Sequence, residues 1–125
     1  MELEKTAGLQ RTYQVDCFEK EFEKVTAEKN PNGRYHKWLR KELIKLEEFG
    51  VAALKFENFE PLPGTDPKLF SIRYPHSKIN PRVIYVYING GEIYLLTAFK
   101  EGSKNTNSDY AAAIKIAQNR LKCLW

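Results

Sequence analysis

The amino-acid sequence predicts an α+β fold of order β-α-α-β-β-β-α, in which an antiparallel sheet packs against a helical hairpin and a C-terminal helix closes the chain. Three observations carry this expectation. Two apolar stripes of helical period fill residues 18–49, separated only by Asn30-Pro31-Asn32-Gly33. Three runs rich in Val, Ile, Tyr and Phe fill residues 69–99, and Asn89-Gly90-Gly91 joins two of them. A last helical stripe runs from Tyr110 to Leu121. Side chains repeat every 3.6 residues on one face of a helix and every second residue on one face of a strand, so the two patterns are separable by eye.

The elements follow in chain order. Residues 1–11 show no periodicity and are taken as a tail, which leaves residues 12–125 as one domain, the number a chain of 125 residues supports. Tyr13 and Val15 alternate with polar neighbours, the mark of a short strand over Thr12 to Asp16. Asp16 stands three residues before Glu19, a capping-box spacing, and Phe18, Phe22 and Val25 then recur at helical spacing to about Lys29. The Asn-Pro-Asn-Gly turn breaks that helix. A second helix is predicted from Arg34 to Phe49, with Tyr35, Trp38, Leu39, Leu43, Leu46 and Phe49 on one stripe and Gly50 as its stop. Asn58, Pro61, Pro63-Gly64 and Asp66-Pro67 make Val51 to Lys68 an irregular crossing. In the strand from Leu69 to Tyr74, Phe70, Ile72 and Tyr74 share a face opposite Ser71 and Arg73. A loop over 75–81 leads to a hairpin of strands Arg82–Ile88 and Glu92–Phe99. After a polar loop, Asn107 or Ser108 is placed to cap the last helix, with Tyr110, Ala113, Ile114, Ala117 and Leu121 on one face.

Composition narrows the function classes. Hydrophobic residues at 42 % and charged residues at 29 % belong to a folded chain rather than a disordered one. No apolar run reaches the roughly 20 residues that span a bilayer, and Met1-Glu2-Leu3-Glu4-Lys5 has neither the basic nor the apolar region of a signal peptide, so a cytoplasmic location without membrane contact is expected. Cys17 and Cys123 are far apart and belong to no C-x-x-C pair, which gives two reduced thiols and no zinc site. Charge is uneven. Residues 1–66 carry 11 basic and 13 acidic side chains, whereas residues 67–125 carry 9 basic and 3 acidic. A basic C-terminal half suits a polyanion, and equally an acidic protein.

The chain has no phosphate-binding Gly-rich loop, no H-E-x-x-H and no G-x-S-x-G, which removes nucleotide-driven, zincin and serine-hydrolase chemistry. Only Glu92, Glu101 and Asp109 of the 16 carboxylates lie in the C-terminal half, so a two-metal site there is not expected, no cofactor is implied, and catalysis falls to cations, phenols or histidines. The cations are Arg73, Lys78, Arg82, Lys100 and Lys104, with His76 among them. If the strands are antiparallel, Arg73 at the end of one and Arg82 at the start of the next meet near one loop. Cleavage of RNA by its own 2′-hydroxyl needs that group deprotonated, the phosphorane charge stabilised and the 5′-oxygen protonated. Arginine and lysine supply the second through charge-assisted hydrogen bonds. His76, a lysine or Tyr110 can move protons. Each has a plainer explanation: Arg73, Lys78 and Lys104 as solvated charges, Tyr110 as packing within its stripe, His36 as a structural or surface residue.

Four segments in order, Leu69-Phe70-Ser71-Ile72-Arg73-Tyr74, Pro81-Arg82-Val83-Ile84-Tyr85-Val86-Tyr87, Ile93-Tyr94-Leu95-Leu96-Thr97-Ala98-Phe99-Lys100 and Tyr110-Ala111-Ala112-Ala113-Ile114-Lys115-Ile116-Ala117, resemble the RelE/HigB branch of type II toxin–antitoxin toxins. The resemblance covers about Leu69 to Leu121. It implies a metal-independent, ribosome-dependent endoribonuclease that cuts translated mRNA and is held in check by a cognate antitoxin, for which a small helix-turn-helix protein is a candidate. By position, it implies that Arg73 and Arg82 hold the scissile phosphate, that Lys100 and Lys104 form the basic stretch before the last helix that contacts RNA, and that Tyr110 stacks on or orients substrate; on residue type and placement alone, Lys78 is a further RNA-binding candidate and His76 a further catalytic one. Ser71 stands where some members carry lysine, and Glu101-Gly102 interrupts the usual cation run. A gyrase-inhibiting ParE-like toxin and a non-catalytic binding member of the same fold are the alternatives.

Overall fold

A computed structural model describes residues 1–75, 77–102 and 106–124, without the side chains of residues 106 and 107. The chain is α+β. Its strands are β1 (Leu3–Lys5), β2 (Thr12–Val15), β3 (Phe59–Leu62), β4 (Leu69–Arg73), β5 (Pro81–Ile88) and β6 (Glu92–Lys100). Its helices are α1 (Phe18–Thr26), α2 (Arg34–Phe49) and α3 (Thr106–Leu124). One sheet holds all six strands in the order β1-β2-β6-β5-β4-β3.

Two strands depart from expectation, and both are edges. Residues 1–11, expected as a tail, contribute β1, which pairs antiparallel with β2 through Leu3 opposite Val15. The crossing segment after α2 contains β3, paired antiparallel with β4. The three residues of β1 hold only one apolar side chain, Leu3, and so show no alternation, while prolines 61 and 63 mask β3. The sheet is also mixed, because β2 runs parallel to β6, with α1, α2 and the three strands β3 to β5 between them in the chain.

Helix α1 does not use Asp16 as its cap. The Asp16 amide donates to the Glu2 carbonyl at 2.9 Å, which extends the β1–β2 ladder, and Cys17 becomes the cap residue with no side-chain bond. The helix ends at Thr26, short of Lys29, because Ala27 turns left-handed at φ 55°. Helix α2 spans its predicted range. Gly33 offers its start no side-chain cap, and Glu28 supplies one from outside by accepting the amides of Tyr35 and His36 at 3.2 and 2.8 Å. Gly50 at φ 56° stops α2, a conformation glycine adopts without strain.

The three helices cover different parts of the sheet. Helix α2 and the 3-10 turn after it lie over the face of Phe70, Ile72, Tyr85 and Tyr87: Trp38 stacks on Tyr74 at 4.8 Å, and the Tyr87 hydroxyl donates to the Gly50 carbonyl at 2.9 Å. Helix α3 lies over the other face, its Tyr110 ring edge-on to Phe99 at 5.0 Å. It begins at Thr106, so Ser108 is inside the helix rather than its cap. Strand β6 outruns β2, which pairs only with residues 93–95. Its remaining edge is closed by side chains. Glu21 of α1 accepts the Ala98 amide at 2.9 Å, and Arg120 of α3 donates to the Leu96 carbonyl at 2.8 Å. With both faces covered, β4 and β5 are buried almost throughout, and Ser71 is buried rather than solvated as a half-buried strand would place it. Among the described residues no helix is long and apolar enough to cross a membrane.

Candidate active site

The antiparallel β4–β5 ladder sets Arg73 directly opposite Arg82. Residues so paired project from the same face. Ser71 lies on that face one step inward, and Phe99 joins it from β6, opposite Arg82. Edge strand β3 adds Glu60, registered opposite Ser71. Tyr110 roofs the group from α3. Its hydroxyl donates to Glu60 Oε1 at 3.0 Å and lies 3.5 Å from Ser71 Oγ.

Two like charges opposite one another destabilise a sheet unless something neutralises them. Here carboxylates do. Arg73 Nε lies 3.7 Å from Glu60 Oε2, and its Nη2 donates to the Glu57 carbonyl at 3.2 Å. Arg82 Nη2 is paired with Glu101 Oε2, both side chains being largely buried. Yet among the described residues the buried Nε–H groups of both arginines find no hydrogen-bond acceptor. Each is a donor lacking an acceptor, a condition that native structures rarely tolerate without a functional reason. Burial pushes the Tyr110 phenol up from its ordinary pKa, with Ser71 and Arg82 opposing and Glu60 reinforcing, so Tyr110 stays protonated at neutral pH.

The other sequence candidates divide. Lys78 is exposed in the β4–β5 loop. That loop is anchored by Ser77 Oγ, which donates to the Tyr74 carbonyl at 3.1 Å and accepts the Asn80 amide at 2.9 Å. Lys100 stands opposite Pro81, on the alternate face from Arg82. His76 and Lys104 lie outside the described residues. His36 is buried between Glu28 at 2.7 Å and Glu19 at 3.1 Å, edge-on to Phe22, where it ties α1 to α2. Among the described residues, the grouping of His and carboxylates that could hold a metal ion is His36 with Glu19 and Glu23, away from the arginine pair.

Glu60 is the site residue that sequence reasoning missed. It belongs to the N-terminal half, outside the three carboxylates that the sequence offers in the C-terminal half, and β3 carries it beside Arg73 and Tyr110. The Phe59-Glu60-Pro61-Leu62 stretch carried no period-2 signal: Phe59 and Leu62, three residues apart, are buried, and Glu60 between them is partly open. Together these groups offer an anion two guanidinium donors, with a carboxylate and a protonated phenol already sharing a proton beside them.

Comparison with known proteins gives one family. The family model described as phage derived protein Gp49-like (DUF891) matches residues 28–122, which takes in α2, every site element and most of α3. No curated protein and no solved structure gives a significant match.

Proposed function

The chain belongs to the phage-derived Gp49-like family, and from that premise and the site we propose that it is the toxin of a toxin–antitoxin pair, a metal-independent endoribonuclease acting on translated mRNA. The observation that carries the proposal is the opposed pair Arg73 and Arg82, each with an Nε–H that finds no acceptor among the described residues, beside hydrogen-bonded Tyr110 and Glu60. The resemblance of residues 69–121 to RelE/HigB toxins supports the same reading.

The chemistry balances within these residues. Glu60 takes the proton of the 2′-hydroxyl, and the resulting alkoxide attacks the adjacent phosphorus. Arg73 and Arg82 stabilise the charge that gathers on the phosphoryl oxygens. The P–O5′ bond breaks, and Tyr110 protonates the departing oxygen. The Glu60–Tyr110 hydrogen bond then returns the proton from carboxyl to phenolate. The products are a 2′,3′-cyclic phosphate and a 5′-hydroxyl. In this scheme the ribosome presents the mRNA and a cognate antitoxin covers the site.

The test is primer extension on mRNA from cells that briefly express the protein. Growth arrest with cuts inside translated frames is expected, together with loss of both in Glu60→Gln and Tyr110→Phe, which leave the fold's apolar contacts in place. Removal of a proton-transfer group should slow cutting by about 10²–10⁴-fold. Arrest without mRNA cuts overturns the proposal. One observation favours a second reading. Arg82 is buried against Glu101, as a structural ion pair would be, and this suits a non-catalytic binder or a gyrase-inhibiting toxin. That reading requires toxicity to survive in both variants, with DNA damage in place of mRNA loss.

A further inference from the structure

The site opens into a groove that its chemistry does not use. Helix α3 faces β3 and the β3–β4 connection across two hollows, whose α3 residues follow one another along the helix. The first, of about 350 Å³, has Pro61 and Pro63 on one wall and Tyr110 and Ile114 on the other. The second, of about 420 Å³, lies further along α3 and is lined by Asp66, Lys115, Gln118, Asn119 and Lys122. From residue 110 to residue 122 the helix advances ~18 Å at 1.5 Å per residue.

The arginines of the basic half are paired: Arg73, Arg82 and Arg120 each face a carboxylate. Its exposed lysines, Lys68, Lys78, Lys100, Lys115 and Lys122, have no ion-pair partner among the described residues, and two of them, Lys115 and Lys122, stand in this groove. The first hollow is an apolar slot bounded by an aromatic ring, which holds the faces of a nucleobase. The second offers amide and carboxylate groups, which read base edges, beside ammonium groups, which take phosphates.

We propose that this groove binds the single-stranded RNA next to the scissile phosphate, with one base between the prolines and Tyr110, the next against Gln118 and Asn119, and the intervening phosphates on Lys115 and Lys122. The assignment rests on the nuclease reading in one respect, continuity: Glu60 and Tyr110, the proton-transfer pair, also line the first hollow. A strand held for cutting at that pair has this channel as its onward path.

The test measures binding apart from cutting, by fluorescence anisotropy with a labelled single-stranded oligoribonucleotide made uncleavable by 2′-deoxy substitution. The double variant Lys115→Glu, Lys122→Glu is expected to bind about tenfold more weakly and to flatten the slope of log affinity against log salt by about 1.4, the share of two phosphate contacts on a single strand. A control with the same charge change on α1, Lys20→Glu with Lys24→Glu, should keep its affinity to within about twofold, since exposed charges far from the bound strand are screened. In primer extension, Gln118→Ala should change which base is preferred beside the cut. Unchanged affinity and slope in the Lys115/Lys122 variant overturn the inference. So does loss of binding to an acidic protein partner with RNA affinity intact, which would make the groove a protein interface. If the wild type cuts mRNA but the double variant behaves like it, the groove fails and the nuclease reading stands. If the wild type binds through Lys115 and Lys122 but never cuts, the nuclease reading fails and the groove stands.

Discussion

At the scale of single residues, Arg82 and Glu101 decide how available the site is. Arg82 stands opposite a second arginine and is largely buried, so Glu101 is what makes its charge tolerable there. Glu101→Ala leaves a buried guanidinium without its partner, and that should lower stability by about 3 kcal/mol. An anion that binds the folded state alone restores stability in proportion to its occupancy. Thermal melting of Glu101→Ala should therefore rise with added inorganic phosphate more steeply than melting of the wild type, where Glu101 competes for the same guanidinium. Equal slopes for the two proteins would mean that Arg82 does not hold the anion. The Arg73–Arg82 meeting was legible in sequence because antiparallel strands joined by a short loop must bring their near ends together. Glu60 was not legible. Its strand is short, it carries proline at position 61, and nothing in a linear reading ties residue 60 to residues 71 and 110.

At the scale of elements, the Glu21–Arg120 pair joins three pieces of chain. Arg120 reaches both Glu21 oxygens at 2.9 and 2.8 Å while Glu21 also accepts from the Thr97 hydroxyl at 2.6 Å and from the Ala98 amide. Beyond Leu95, β6 has no neighbour in β2, so its edge carbonyls and amides there need other partners. Helices α1 and α3 supply those partners. Burial pushes the Glu21 carboxyl up, but the bonds from Arg120, Thr97 and Ala98 outweigh it and hold the carboxyl below its ordinary value of 4.5. A group whose folded pKa is lowered stabilises the fold above its unfolded pKa and loses that contribution as pH falls through the folded value. Urea denaturation should thus show Glu21→Gln losing stability at pH 7 and converging on the wild type as pH drops well below 4.5. A gap that persists at pH 2 would assign the loss to packing. The helices were legible because their stripes are long. Their joints were not, since Glu21 lies 99 residues from Arg120 and 76 from Thr97, and the capping box at Asp16 failed because β1, unseen in the sequence, claimed its amide.

At the scale of the whole molecule, the charge split along the chain is not the charge split of the surface. Carboxylates from the acidic N-terminal half fold back onto the basic half: Glu60 to Arg73 and Glu21 to Arg120. Part of the C-terminal excess is thereby neutralised internally, and among the described residues the exposed cations without an ion-pair partner in that half are lysines: Lys68, Lys78, Lys100, Lys115 and Lys122. The same folding back guards the sheet. An open sheet exposes two edge strands, each able to pair with another chain. Edge β3 is blunted by its proline. Edge β1 is three residues long, with Glu4 and Lys5 exposed on it, and it covers the longer β2. Glu47 of α2 secures the approach to β2, accepting the Gln10 and Arg11 amides and the Thr12 hydroxyl. Deleting residues 1–6 should therefore leave β2 in place while baring its edge. The shortened protein is expected to keep its helices by circular dichroism yet to associate as its concentration rises, visible as a concentration-dependent shift in size-exclusion chromatography with light scattering. Restoring β1 as a separate peptide should reverse the association, because the peptide satisfies the same backbone groups. A shortened chain that stays monomeric at every concentration would assign the protection of β2 to Glu47 and α2, and would reduce β1 to an ornament of the edge.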